Sequence, residues 1–197
     1  SLPKNAAIKV LHPKYADDQE RVKRFFNEAQ AVSSLRHSNI VEVLDFGSLD
    51  DGASYLTMEF LDGESLFSRL RREKPLPIHT ALDFADQAAS ALDRVHQEGI
   101  VHRDLKPGNL FLSPDPEEPW RLRLKVLDFG IAKLGPSVPQ EFLKTETGVS
   151  VGTPLYKSPE QWGTDRPVDH RADIYSLGVV LYETLTGHRP FVAQDYL

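Results

Sequence analysis

Apolar positions recur along this chain at two periods, and each stretch predicts an element. Ala6-Ala7-Ile8-Lys9-Val10-Leu11 is an apolar, partly β-branched run carrying one lysine, which predicts a strand. Asp17-Asp18-Gln19-Glu20 then supply caps and first-turn acids, and Val22, Phe25, Phe26, Ala29, Val32 and Leu35 follow at helical spacing. Ile40 to Phe46 and Tyr55 to Leu61 alternate well enough for two strands joined through Asp50-Asp51-Gly52. Ser65 to Lys74 reads as a short helix with a basic, solvated face. From Ile78 to Gln97, Leu82, Ala85, Ala88, Ala89, Leu92 and Val95 mark a long buried helix that Gly99 stops. Leu122 to Leu127 predicts a further strand. A last helix opens at His170-Arg171-Ala172-Asp173, turns Ile174, Leu177, Val180, Leu181 and Leu185 inward, and ends at Gly187 and Pro190.

Two stretches escape this patterning. Residues 100–112 hold His102, Arg103, Asp104, Lys106 and Asn109 between Val101 and Leu110-Phe111-Leu112, which read as short buried strands. Pro107-Gly108 forbids a continuous helix through the middle, so a tight turn collects charge there, and such turns usually carry chemistry. Residues 135–159 lack periodicity, are rich in Pro, Gly, Ser and Thr, and predict a long loop.

Composition narrows the function classes. With 197 residues, 40% hydrophobic and 26% charged, the chain can bury a real core. Absence of cysteine excludes disulfides and thiolate metal sites, and a net charge of −6 argues against a general nucleic-acid binder. The longest apolar-leaning run, Ile174 to Leu185, is interrupted by Ser176, Gly178, Glu183 and Thr184, so no membrane segment is expected in this chain and a cytoplasmic setting is. A membrane anchor elsewhere in a parent protein is compatible with that.

Taken together, Ala7-Ile8-Lys9, Glu28, His102-Arg103-Asp104 through Asn109, Asp128-Phe129-Gly130, Gly152-Thr153-Pro154, Ser158-Pro159-Glu160 and Asp173-Ile174-Tyr175-Ser176-Leu177-Gly178 stand in the order of the protein-kinase signatures. The whole chain resembles bacterial Hanks-type serine/threonine protein kinases. That resemblance implies an α+β, bilobal fold: a partial small lobe at residues 1–61, a hinge at 59–62, and a partial, mainly helical large lobe at 62–197. It also implies ATP and Mg²⁺, with Mn²⁺ as an alternative, Ser/Thr-bearing protein substrates, and homodimerisation for autophosphorylation.

By resemblance, Lys9 would hold the α- and β-phosphates and Glu28 would pair with it; Asp128 and Asn109 would hold metal. Asp104 would accept the substrate hydroxyl proton, and Lys106 would steady the moving phosphate. Met58 would be the gatekeeper, the backbone at Glu59 and Leu61 would read adenine, and Phe111 would line its lower face. His102, Phe129, Val32 and Val43 would be packing residues. Arg103 beside Asp104 would sense a phosphate placed on Thr145 or Thr147, whereas Thr153 would be architectural. The family's glycine-rich loop lies before Lys9 and its closing helices after Leu197, so a piece truncated at both ends, weak or inactive, is expected. The alternative is a kinase-like scaffold that transfers nothing.

Overall fold

The computed structural model describes residues 5–11, 18–129, 154–162 and 167–191. Strand β1 (Ala6–Val10) is followed by helix α1 (Gln19–Ser33), β2 (Val43–Ser48) and β3 (Ser54–Glu59). The three strands form an antiparallel sheet in the order β1-β3-β2, with Lys9 opposite Leu56 and Ala7 opposite Met58. The predicted second strand begins three residues late: Ile40 makes only an isolated parallel bridge to Val126, because Asn39 and Val41 on either side of it bond Val126 rather than a strand of this sheet.

A short connection leads from Glu59 to β4 (Glu64–Ser65) and α2 (Leu66–Arg72). Gly63 is required in it: its φ is +148°, and a Cβ there would lie 2.0 Å from the Leu112 carbonyl oxygen. The Ser65 hydroxyl caps α2 at the Ser68 N–H, and the basic face is less free than expected, since Arg72 grips Glu64 with both terminal nitrogens at 2.7 Å. Helix α3 (Ile78–Gln97) matches the predicted bounds, but its buried face is turned. Ala81, Phe84, Gln87, Ala88, Ala91, Leu92 and Val95 are buried, while Leu82 and Ala89 are exposed.

Strands β5 (Leu110–Pro114) and β6 (Leu122–Val126) form a hairpin that joins β4 in a second antiparallel sheet. Val101, expected as a strand, pairs with nothing in a ladder, because the chain there is held by side-chain bonds instead. Helix α4 (Arg171–Thr186) ends on Gly187, whose φ of +78° forms a left-handed cap. Ile174 is exposed on it, contrary to expectation; Ala172, Asp173, Ser176, Val179, Val180 and Thr184 face inward. One core runs from Phe25, Ala29 and Val32 of α1 through Leu66, Leu92, Leu110, Leu124 and Phe129 to Val180.

No described helix is long and apolar enough to cross a membrane.

Candidate active site

The charged turn is positioned by its main chain. Arg103 has a φ of +63°, a left-handed conformation that costs a side-chain-bearing residue roughly 1–2 kcal/mol. Two bonds hold it there: its N–H donates to Asp173 Oδ1 at 2.8 Å, and its carbonyl accepts from Gln161 Nε2 at 2.8 Å. Asp173, fully buried at the start of α4, also accepts the His102 N–H at 2.8 Å and faces His96 Nε2 at 2.8 Å. One carboxylate therefore fastens two consecutive peptide groups just before Asp104.

His102 is fully buried against Phe129, with ring centroids 5.0 Å apart. Its Nε2 lies 2.9 Å from the Leu127 carbonyl, which can only accept, so Nε2 carries the proton and Nδ1 accepts the Asp104 N–H at 3.2 Å. Burial pushes its pKa below the ordinary value, outweighing the opposing pull of Asp173 and the Leu127 carbonyl, which keeps the ring neutral for this double role. It is more than packing: the imidazole ties the Asp104 turn to the turn that carries Asp128.

The candidate side chains then converge. Lys106 Nζ donates to Asp104 Oδ2 at 2.9 Å, and Asn109 Nδ2 donates to the Asp104 carbonyl at 2.9 Å and to Oδ2 at 3.4 Å. Both Asn109 bonds use the amide nitrogen. The Leu127 N–H donates to the Asn109 carbonyl at 2.9 Å, setting Asp128 beside this turn with a φ of +49°. Across the cleft, Lys9 Nζ donates to Asp128 Oδ1 at 2.8 Å, so the first strand and the turn after β6 meet at one ion pair.

Met58 lines a small cavity with Ala29, Val32, Val41, Val43, Leu56, Asp128 and Phe129, beside that ion pair. Glu59 ends β3, Leu61 follows it half-buried, and Phe111 sits half-buried on β5 opposite Lys125. The Glu28 side chain, Thr145, Thr147, Thr153, Gly130 and Gly152 lie outside the described residues. Among the described residues no group of three or more His, Asp or Glu is arranged to hold a metal ion by itself. A divalent cation placed here would find Asp128 and the amide oxygen of Asn109, hard oxygen donors of the kind such ions take.

Residues missed in the sequence are those that hold the turn. Asp173 stood in the Asp173-Ile174-Tyr175-Ser176-Leu177-Gly178 signature with no role assigned to it; His96 and Gln161 carried no signal. The segment around Gln161 is itself anchored: Ser176 Oγ donates to the Tyr156 carbonyl at 2.7 Å and Tyr156 donates its hydroxyl to Glu183. Burial, then that bond, pushes the Tyr156 pKa far up. Ser158 is fully buried, and its N–H donates to Gln161 Oε1 at 3.0 Å, fixing the side chain that reaches Arg103.

Residues 3–196 match the family described as protein kinase domain. The chain belongs to that family. Among relatives of this kinase domain, serine/threonine-protein kinase pkn3 of Myxococcus xanthus is 44% identical over 97% of the chain, and PknA of Corynebacterium glutamicum is 43% identical over 98%. The chain spans 34% and 39% of their lengths, respectively. The solved PknI kinase domain of Mycobacterium tuberculosis superposes with a TM-score of 0.72 at 32% identity, covering the whole of this chain and 69% of that one. The small sheet with its helix and the larger helical part are thus those of a bilobal kinase fold.

Proposed function

We propose that this kinase domain transfers the γ-phosphoryl group of ATP to Ser or Thr hydroxyls of proteins, with the small lobe at residues 1–61, the hinge at 59–62 and the large lobe at 62–197. The observation that carries this reading is the joining of two polar clusters, Asp104–Lys106–Asn109 and Lys9–Asp128, through His102 and the Leu127 peptide. Phosphoryl transfer asks a protein chiefly for positioning and charge compensation, and this arrangement supplies both.

In this reading Asp104 orients the acceptor hydroxyl and takes its proton, and Lys106 steadies the transferring oxygens. Lys9 directs the α- and β-phosphates, Glu28 aims Lys9, and Asp128 with Asn109 hold the divalent ion, Mg²⁺ before Mn²⁺. That ion, when bound, neutralises phosphate charge. Backbone groups of Glu59 and Leu61 read the adenine beside Met58 and above Phe111. Arg103 receives a phosphate on Thr145 or Thr147, placed there by a second copy. Bacterial Ser/Thr kinase relatives support the choice of acceptor.

Incubation with γ-labelled ATP and a mixed protein substrate, followed by phosphoamino-acid analysis, tests this. Phosphoserine or phosphothreonine above the Asp104→Asn background is expected. Phosphotyrosine would overturn the acceptor, and equal backgrounds would favour a scaffold that transfers nothing.

A further inference from the structure

Residues 39–42 belong to the small lobe by sequence but are bonded to the large one. Asn39 is buried, and its Nδ2 donates to Gln87 Oε1 and to the Leu124 carbonyl, both at 2.9 Å. The Val126 N–H donates to the Asn39 carbonyl at 2.8 Å, and the Val41 N–H to the Val126 carbonyl at 3.1 Å. The Leu124 N–H closes the set on Gln87 Oε1 at 2.8 Å. Asn39, Ile40 and Val41 are thus bonded to β6 and α3, so the stretch that leads into Glu42 is a ledge of the large lobe.

Glu59, where the chain leaves β3, is clamped to that ledge twice. Its N–H donates to the Glu42 carbonyl at 2.9 Å, and its Oε1 accepts the Glu42 N–H at 2.8 Å. The same oxygen accepts from Lys125 Nζ, which also donates to the Ile40 carbonyl at 3.3 Å. Lys125 and Glu59 side chains are only 12% and 25% exposed, so the pair is weakly screened by salt. Lys125 stands on β6, opposite Phe111 and three residues before Asp128. It thus links the strand leading to the metal-holding acid with the first residue of the connection between the lobes.

We infer that Lys125 is a positioning residue: through Glu59 it fixes residues 59–62 against β6 and so sets the orientation of the backbone that meets the nucleotide base. This rests on the kinase reading above, but the bonds it invokes exist without nucleotide.

The test is Lys125→Met in the full-length protein, read two ways. Amide hydrogen exchange at residues 59–62 is expected to quicken. The KM for ATP is expected to rise about tenfold with kcat within about twofold, the size expected for one lost charge-assisted hydrogen bond. Lys125→Arg, which keeps the charge, is expected to restore both. Glu59→Gln, which keeps the shape and loses the charge, is expected to move both readings in the same direction by about threefold, and stands in if Lys125→Met does not fold. Unchanged exchange, an unchanged KM, or a higher kcat at unchanged KM would overturn the inference. If the wild type transfers no phosphate, the kinase reading fails while exchange still decides the clasp.

Discussion

Two polar turns lie at opposite ends of β5, and they are built on opposite plans. The tip of the β5–β6 hairpin is as charged as the turn before β5, with Asp115, Glu117, Glu118, Arg121 and Arg123 within nine residues. At the tip, side chains do the fastening. Asp115 accepts the Glu117 N–H at 2.8 Å and Arg123 at 2.7 Å, and Arg121 reaches Asp83 on α3. Burial opposes ionisation of Asp115, yet those donors outweigh it and hold its pKa below the ordinary carboxylate value. In the 102–109 turn, outside groups fasten the backbone, and Asp104, Lys106, Asn109 and Asp128 are brought together at the cleft. Charge density does not mark a site; what the charges are bonded to does.

Breaking the turn itself should have the largest effect. Asp104→Asn is expected to lower phosphate transfer by about 100-fold or more while the unfolding transition stays in place, since proton acceptance contributes on that scale. Breaking its support comes next. Asp173→Ala strands two buried N–H groups and His96, and should destabilise by about 3–5 kcal/mol in a denaturant titration, with transfer lost in parallel.

The same operation at the tip sharpens the contrast. Asp115→Ala should shift the unfolding midpoint to lower denaturant yet leave transfer per folded molecule within about twofold. An activity loss matching that of Asp104→Asn would erase the distinction between the turns.

The smallest effect is a pH slope. His102 has a lowered pKa in the fold, so the unfolded chain binds its proton first as pH falls through about 6.5. Stability should therefore fall below that pH by up to about 1.4 kcal/mol per unit, and hold above it. His102→Phe should flatten the slope. Its remainder is expected from His37, whose pKa burial also lowers, with Arg94 and Lys125 adding to it.

The contrast also separates what was legible in the sequence from what was not. Strand β1 and helices α1 and α3 follow local periodicity, and their bounds were readable. The buried face of α3 was not, because Gln87 is buried only once Asn39, the Leu122 carbonyl and Asp83 satisfy it. Val101 looked like a strand since apolar residues predict burial, not ladder partners. Residues that touch the cleft announced themselves as a motif. Asp173 stood in a signature too, but its task did not show: the bonds of Asp173, Gln161 and Lys125 cross 58 to 71 positions of sequence, a range that no local pattern reports.

The most direct measurement is phosphate transfer from γ-labelled ATP by the full-length protein as wild type, Asp104→Asn and Asp115→Asn, side by side and normalised to folded protein. Transfer is expected from wild type and Asp115→Asn, and essentially none from Asp104→Asn. Equal transfer by wild type and Asp104→Asn would contradict it.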